Sequence, residues 1–161
     1  MCFIDFAQAY DSIWREGAWK LLGKYGIHAK IIRLIENLYS TVLACIRIDG
    51  EKTEWFKIKT GFRQGCILSP MLFNIILDYI MRRIENTNGL GTSLKPGNID
   101  DAEYADDTCL IAECMSRIVE LTLALITESG KFGLKINTNK TKIMPITKKA
   151  GASGYTQWKR N

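Results

Sequence analysis

Histidine is almost missing from this chain: His28 is the single one among 161 residues. Finger-type zinc ligation therefore has almost nothing to build with. Cysteine occurs five times (Cys2, Cys45, Cys66, Cys109 and Cys114), an odd number without a close C-x-x-C pair. That pattern reads as buried, reduced thiols of an intracellular protein, nuclear or cytoplasmic. No apolar run reaches the roughly 18 residues that span a bilayer, so no membrane partner is expected. A signal peptide is missing too, because the start "MCFIDFAQAY" has no basic segment and carries an early acid.

What is present is ordinary for a soluble globular protein, with 47% hydrophobic and 24% charged residues. The length suits one domain with a proper core. A net charge of +5, from 22 basic and 17 acidic residues, mildly favours an anionic partner. Met1 runs straight into a predicted core strand, and "KKAGASGYTQWKRN" loses all pattern, so the sequence reads as a piece of a longer polypeptide.

Periodicity gives the order of elements. "CFIDF" (2–6) reads as an apolar strand interrupted by Asp5. Asp11 or Ser12 can cap a helix running to about Tyr25, with Gly26 as its stop. "HAKIIRLIENLYS" places Ile31, Ile35, Leu38 and Tyr39 at helical spacing. "LACIRIDGEKTEWFKIKTG" alternates on both sides of Asp49-Gly50, a hairpin signal. The clearest helix is "LSPMLFNIILDYIMRRIEN", with Ser69 as N-cap, Pro70 in the first turn, and Leu72, Ile75, Ile76, Tyr79 and Ile80 on one face. A Gly/Asn/Pro-rich loop (86–98) follows, then a hairpin, then a helix over about 115–131 carrying Ile118, Leu121 and Leu125. "GLKIN" and "TKIMPI" read as strands. The order predicts an α+β fold, a mostly antiparallel sheet with helices packed on one face, without repeats or an internal boundary.

Within this frame "AEYADDTCLIAE" (102–113) sets Asp106 and Asp107 between apolar segments. A hairpin turn accounts for such a pair, since Asp bonds nearby backbone amides. Taken alone the pair favours the turn; Asp5, unless it merely caps a strand end, tilts the reading toward a metal site at a strand tip. Asp is disfavoured in strands, and a buried carboxylate needs a compensating partner. Carboxylates gathered at one edge of a sheet repel unless cations neutralise them, and Mg²⁺ takes such oxygen ligands together with substrate phosphates. The neighbouring Asp100-Asp101 pair follows Gly97 and Asn98 and reads as a solvated loop. "TGFRQGCILSP" (60–70) is either an ordinary entry into the long helix or a surface for a flat base or template strand. Gly61 and Gly65 there permit close backbone approach.

"FIDFAQAYD", "RQGCILSPMLFN", "YADD" and "GLKINTNKTKIM" resemble, in order and spacing, successive motifs of the reverse transcriptase palm. The form "RQGC-x-LSP-x-LFN" is most similar to non-LTR (LINE-type) retrotransposon enzymes. The resemblance implies a palm over residues 1–146 with partial fingers and no thumb, and an irregular tail over 147–161. It implies that Asp5, Asp106 and Asp107 are catalytic and hold two Mg²⁺ ions, with Mn²⁺ as a substitute. Tyr10 would exclude a 2′-hydroxyl, although a core aromatic is the plain alternative. Gln64, Gly65 and Lys140 would meet the incoming nucleotide, with Lys142 as a neighbouring candidate. Arg63 and Tyr104 would meet template or primer. Asp11 recurs in such motifs and reads here as a helix cap. Phe62 is a minor departure, standing where a smaller aliphatic residue is usual.

The implied partners are an RNA template, a DNA primer and dNTPs. Little activity is expected of residues 1–161 alone, without a thumb or complete fingers to clamp the duplex. Two other readings fit less well. An RNA-templated RNA polymerase is disfavoured by Tyr10 and "YADD", and a non-catalytic remnant that binds nucleic acid or a partner is disfavoured by the intact aspartates.

Overall fold

The computed structural model describes residues 1–87, 101–104 and 107–145. The chain runs through β1 (Cys2–Asp5), α1 (Ala9–Ser12), α2 (Arg15–Lys24), α3 (Ala29–Ser40), β2 (Leu43–Ala44), β3 (Arg47–Ile48), β4 (Glu51–Lys52) and β5 (Phe56–Lys57). It continues through α4 (Leu68–Thr87), β6 (Asp101–Tyr104), β7 (Asp107–Leu110), α5 (Met115–Gly130) and β8 (Lys142–Ile143). The main sheet has the order β6-β7-β1-β8, antiparallel at every step. β1 is therefore an interior strand. Among the described residues no helix is long and apolar enough to cross a membrane.

β1 shows how sequence sets this architecture. Cys2, Ile4 and Phe6 are buried while Phe3 between them is 41% exposed, the two-residue period of a strand covered on one face. Its register sets Ile4 opposite Thr108 and Cys2 opposite Leu110, all of them buried. Against this face packs α4, whose Leu72, Phe73, Ile76, Leu77, Ile80 and Ile84 recur at three- and four-residue spacing and are buried. Leu21 and Leu22 of α2 and Ile118 and Leu125 of α5 join the same core. Each such side chain contributes roughly 1.5–3 kcal/mol by leaving water. The α+β expectation and the inward faces of α4 and α5 hold.

Helix ends differ more. α2 does stop at Gly26, which takes φ +79° while Ile27 N–H donates to Leu22 O and Gly26 N–H to Gly23 O. That pair of bonds closes the last turn, and only glycine enters the left-handed conformation without penalty. The start of α2 is not capped by Asp11 or Ser12. Those residues belong to the separate short α1, and Trp14 precedes α2 with no side-chain cap. α3 is capped by the lone histidine, whose Nδ1 accepts from Lys30 N–H at 3.2 Å. Its inward face is Ile32, Ile35 and Tyr39, so Ile31 and Leu38 of the predicted face stand exposed. α4 begins at Leu68, before the predicted cap: Ser69 instead donates to Arg63 O at 2.6 Å and shares a bond with the Tyr39 hydroxyl.

The Asp49-Gly50 hairpin forms, with both residues at positive φ and Ile48 opposite Glu51. Its regular pairing is split into β2–β5 and β3–β4. "GLKIN" supplies one isolated bridge, Phe6 to Ile136, and "TKIMPI" supplies the two-residue β8. Asp101 is not in a loop but opens β6, opposite Leu110. The thiols are free, but only Cys2 and Cys109 are buried, and Cys114 is exposed. Burial pushes both buried thiols up in pKa. Asp106, the 88–98 stretch and the 147–161 tail lie outside the described residues.

Candidate active site

Asp5 closes β1 at the sheet end where the β6–β7 hairpin turns. Its Cα partner across the ladder is Asp107, whose own partner on the far side is Tyr104. The sheet thus brings the first aspartate of the sequence reading into register with the last. The Asp5 main chain is held by Asn137 N–H, which donates to its carbonyl at 2.7 Å, and by its own N–H, which donates to Thr141 Oγ1 at 3.4 Å. Its side chain is partly buried, and the buried Oδ2 has no hydrogen-bond partner among the described residues. Lys140 Nζ stands 3.8 Å from Oδ1, but that side chain is 69% exposed against 27% for Asp5. So loose a contact does not compensate a charge leaving water.

A buried, anionic oxygen without a donor is the group a hard divalent cation satisfies. The donor chemistry of Asp5 therefore fits such an ion. Among the described residues no three His, Cys, Asp or Glu side chains gather as a metal site.

The segment after Asp5 is gripped from two sides. Gly61 N–H donates to Ile13 O at 2.8 Å and Phe62 N–H to Tyr10 O at 2.6 Å. From the other side Trp14 N–H donates to Phe132 O and Ala7 N–H to Lys135 O, both at 2.8 Å. Two glycines allow the approach. A Cβ on Gly61 would stand 2.5 Å from Asp11 O, and one on Gly133 would stand 2.5 Å from Ser12 O.

Arg15 completes the grip. It is buried at 9% exposure and donates to Gly61 O at 2.6 Å, Ile58 O at 2.8 Å and Tyr39 O at 3.1 Å. Two segments distant in sequence, the end of α3 and the 58–61 stretch, are thus pinned by one guanidinium, which also lies 5.3 Å from the Tyr39 ring centre. Burial lowers its pKa, yet a guanidinium keeps its charge in proteins. Arg15→Met should cost about 2–3 kcal/mol, because buried carbonyls lose their donor. The urea midpoint would fall at unchanged slope. Arg15→Lys should recover only part, since an ammonium does not reproduce the planar fork.

Tyr10 stacks on Phe73 with ring centres 5.0 Å apart and is half-buried. It thus packs on the core as well as bordering the site. Gln64 donates from Nε2 to both carboxylate oxygens of Asp11, at 3.1 Å each. Asp11 is therefore a partner of the "RQG" loop, not a cap. Arg63, Gln64, Gly65 and Cys66 line a cleft of about 320 Å³ together with Leu38, Tyr39 and Val42. The Leu68 amide at the start of α4 holds the Cys66 thiol below its ordinary pKa. Lys142 lies in β8 opposite Phe3.

The structure therefore brings Asp5, the Asp107 backbone and Lys140 to one place, and Arg63, Gln64 and Gly65 to a second, with Tyr10 and Asp11 on the segment between. Arg15, Gly133 and the partnership of Asp11 with Gln64 escape sequence reasoning. Only the glycine in "GLKIN" carried a signal, a residue free to take positive φ.

Comparison with solved structures defines the class. The chain matches a telomerase from Candida tropicalis in complex with a TWJ fragment of telomeric RNA, with a TM-score of 0.72 at 16% identity, over 98% of this chain and 27% of that one. An apo telomerase from the same organism, truncated from its C-terminal domain, matches with a TM-score of 0.69 at 19% identity, over 94% and 31% of the two chains. At these identities the likeness is one of fold, and the fold is palm-like α+β.

The family model for reverse transcriptase (RNA-dependent DNA polymerase) matches residues 1–156, and the chain belongs to that family. Its relatives include the Pol polyprotein of the type-2 retrotransposable element R2DM of Drosophila melanogaster, 30% identical over 86% of this chain. The RNA-directed DNA polymerase of the mobile element jockey of Drosophila funebris is 30% identical over 77% of it. These are non-LTR, LINE-type elements. The chain spans 13% of the length of each of these two relatives. Reverse transcriptases generally use divalent metal ions.

Proposed function

We propose that this chain is the palm, over residues 1–146, of an RNA-directed DNA polymerase that adds dNTPs to a primer 3′-hydroxyl on an RNA template. The observation that carries this reading is the unsatisfied carboxylate oxygen of Asp5 in register with Asp107, at the sheet end where β6 ends and β7 begins. Asp5, Asp106 and Asp107 would hold two Mg²⁺ ions, or Mn²⁺ in their place. When bound, these supply a lowered pKa to the primer hydroxyl and positive charge to the triphosphate and leaving pyrophosphate. The residues of the chain do the positioning. Asp5 offers its oxygens from a strand fixed on both sides. Lys140, exposed and adjacent, brings positive charge to the phosphates. Gln64 and Gly65 offer a polar, Cβ-free approach to the nucleotide, and Arg63 and Tyr104 meet template or primer.

Tyr10 is proposed as the sugar gate. Its ring is fixed on Phe73, so its edge toward the nucleotide cannot yield to an added 2′-hydroxyl. The test is primer extension on an RNA template with Mg²⁺ in the full-length protein, comparing dNTPs with rNTPs. The wild type should prefer dNTPs, and Tyr10→Ala should reduce that preference by on the order of tenfold or more. The same change should cost about 2–4 kcal/mol in stability, as half the ring packs on the core. An unchanged preference together with that stability loss would make Tyr10 a core aromatic only. Template binding without any extension would leave the chain a nucleic-acid-binding remnant.

A further inference from the structure

Asp11 stands on a tightly held stretch of backbone near the site. The residues on either side of it are held by Phe62 N–H and Gly61 N–H, and its own main chain fills the space that a Cβ on Gly61 would need. Gln64 is placed differently. It is exposed on the turn that leads to Gly65, where φ is +78° and, among the described residues, no atom lies within 4 Å of a Cβ position. A carboxylate on a fixed backbone thus faces an amide on an open loop, and Nε2 reaches both carboxylate oxygens at 3.1 Å.

The orientation of the amide follows from charge. A carboxylate only accepts, so the Gln64 nitrogen must turn toward Asp11 and its carbonyl oxygen away. We propose that Asp11 is a positioning residue for Gln64, holding its amide so that Oε1 is the atom offered to the nucleotide. This rests on the reading that Gln64 faces the incoming nucleotide. It adds a specificity: the ligand group met by Gln64 is a donor, such as a hydroxyl or an exocyclic amine, and not a phosphate oxygen. An exposed pair of this kind contributes little to folding. Its effect is to remove the amide's alternative orientations before the ligand arrives, which lowers the ordering cost of binding.

The test is steady-state single-nucleotide incorporation by the full-length protein, read as KM and kcat separately, with the melting temperature of each variant. Gln64→Ala and Asp11→Ala should each raise the dNTP KM about tenfold with kcat within about threefold. The double variant should be no worse than Gln64→Ala alone, because both remove one interaction. Gln64→Glu should be worse than Gln64→Ala through repulsion from Asp11. Adding Asp11→Asn should restore part of that loss, since an asparagine amide can donate to the new carboxylate. Melting temperatures should move by no more than about 2 °C.

If Gln64→Ala raises KM while Asp11→Ala leaves it unchanged, the positioning role is wrong and the nucleotide reading of Gln64 stands. If Gln64→Ala itself changes nothing, that reading fails and the proposal with it. Additive effects accompanied by a fall of about 5 °C or more in Asp11→Ala would make Asp11 a structural residue and overturn the proposal.

Discussion

Asp5→Asn should reduce RNA-templated primer extension by on the order of a thousandfold or more, while leaving the fold nearly as stable as before. The two halves of this expectation have different causes. Phosphoryl transfer needs charge held in a fixed place, and asparagine keeps the shape of the side chain but removes the anion. Stability, by contrast, gains little from the native carboxylate. Its Oδ2 has no hydrogen-bond partner among the described residues, and the contact with Lys140 is long and exposed. Removing the charge also lessens repulsion wherever other carboxylates gather at this sheet end. The unfolding free energy should therefore change by less than about 1 kcal/mol, the range of an exposed ion pair.

Mn²⁺ titration of the same variant gives a readout apart from turnover, and its affinity should fall. A variant that is destabilised by several kcal/mol yet still extends primers would make Asp5 a structural carboxylate. The metal reading would then be wrong. Clustered negative charge is tolerated in a fold when a ligand neutralises it in use, so low stability gain and high activity loss belong together here.

How far the sequence foretells such a site depends on the range over which each residue acts. The inward face of α4 is legible because Leu72, Ile76 and Ile80 recur at four-residue spacing, while Asn74, Asp78 and Arg82 mark the other side. α3 is not legible in the same way. Ile31, Leu34 and Leu38 form one apolar row and Ile32, Ile35 and Tyr39 another, and only the neighbours of α3 decide which row turns inward. Asp5 is visible as an acid inside an apolar strand, but its register with Asp107 is a property of the ladder.

Asp11 misleads for a related reason. An Asp before a helical stretch has a local use as a cap, whereas its partner Gln64 lies 53 residues away. Arg15 gives no signal at all. Its partners are backbone carbonyls, and every residue carries one. The acids proposed to bind metal and the "RQG" loop could thus be named from the sequence, and the parts that hold them in place could not.

The glycines of that holding apparatus give the largest expected stability effect. Gly61→Ala should destabilise the chain by about 2–5 kcal/mol, combining about 1–2 for an L-residue in the left-handed region with about 1–3 for overpacking. Its φ is +76°, and the added methyl would stand 2.5 Å from Asp11 O and 2.6 Å from Asp11 Cα. Neither is a side chain that can swing aside. Arg15 holds the Gly61 carbonyl and the Gly61 amide holds Ile13, so the loop cannot retreat without breaking both bonds.

Gly65 is the internal control. At φ +78° it carries the same conformational penalty, but among the described residues nothing lies within 4 Å of its Cβ position. Gly65→Ala should therefore cost only about 1–2 kcal/mol. Chemical denaturation of the two variants separates dihedral strain from backbone collision. Equal losses would mean that strain alone requires glycine at position 61 and that the Asp11 segment is not gripped as described. A larger loss in Gly61→Ala, together with weaker dNTP binding among the molecules that remain folded, ties the close approach at Gly61 to the placing of Tyr10 and Asp11.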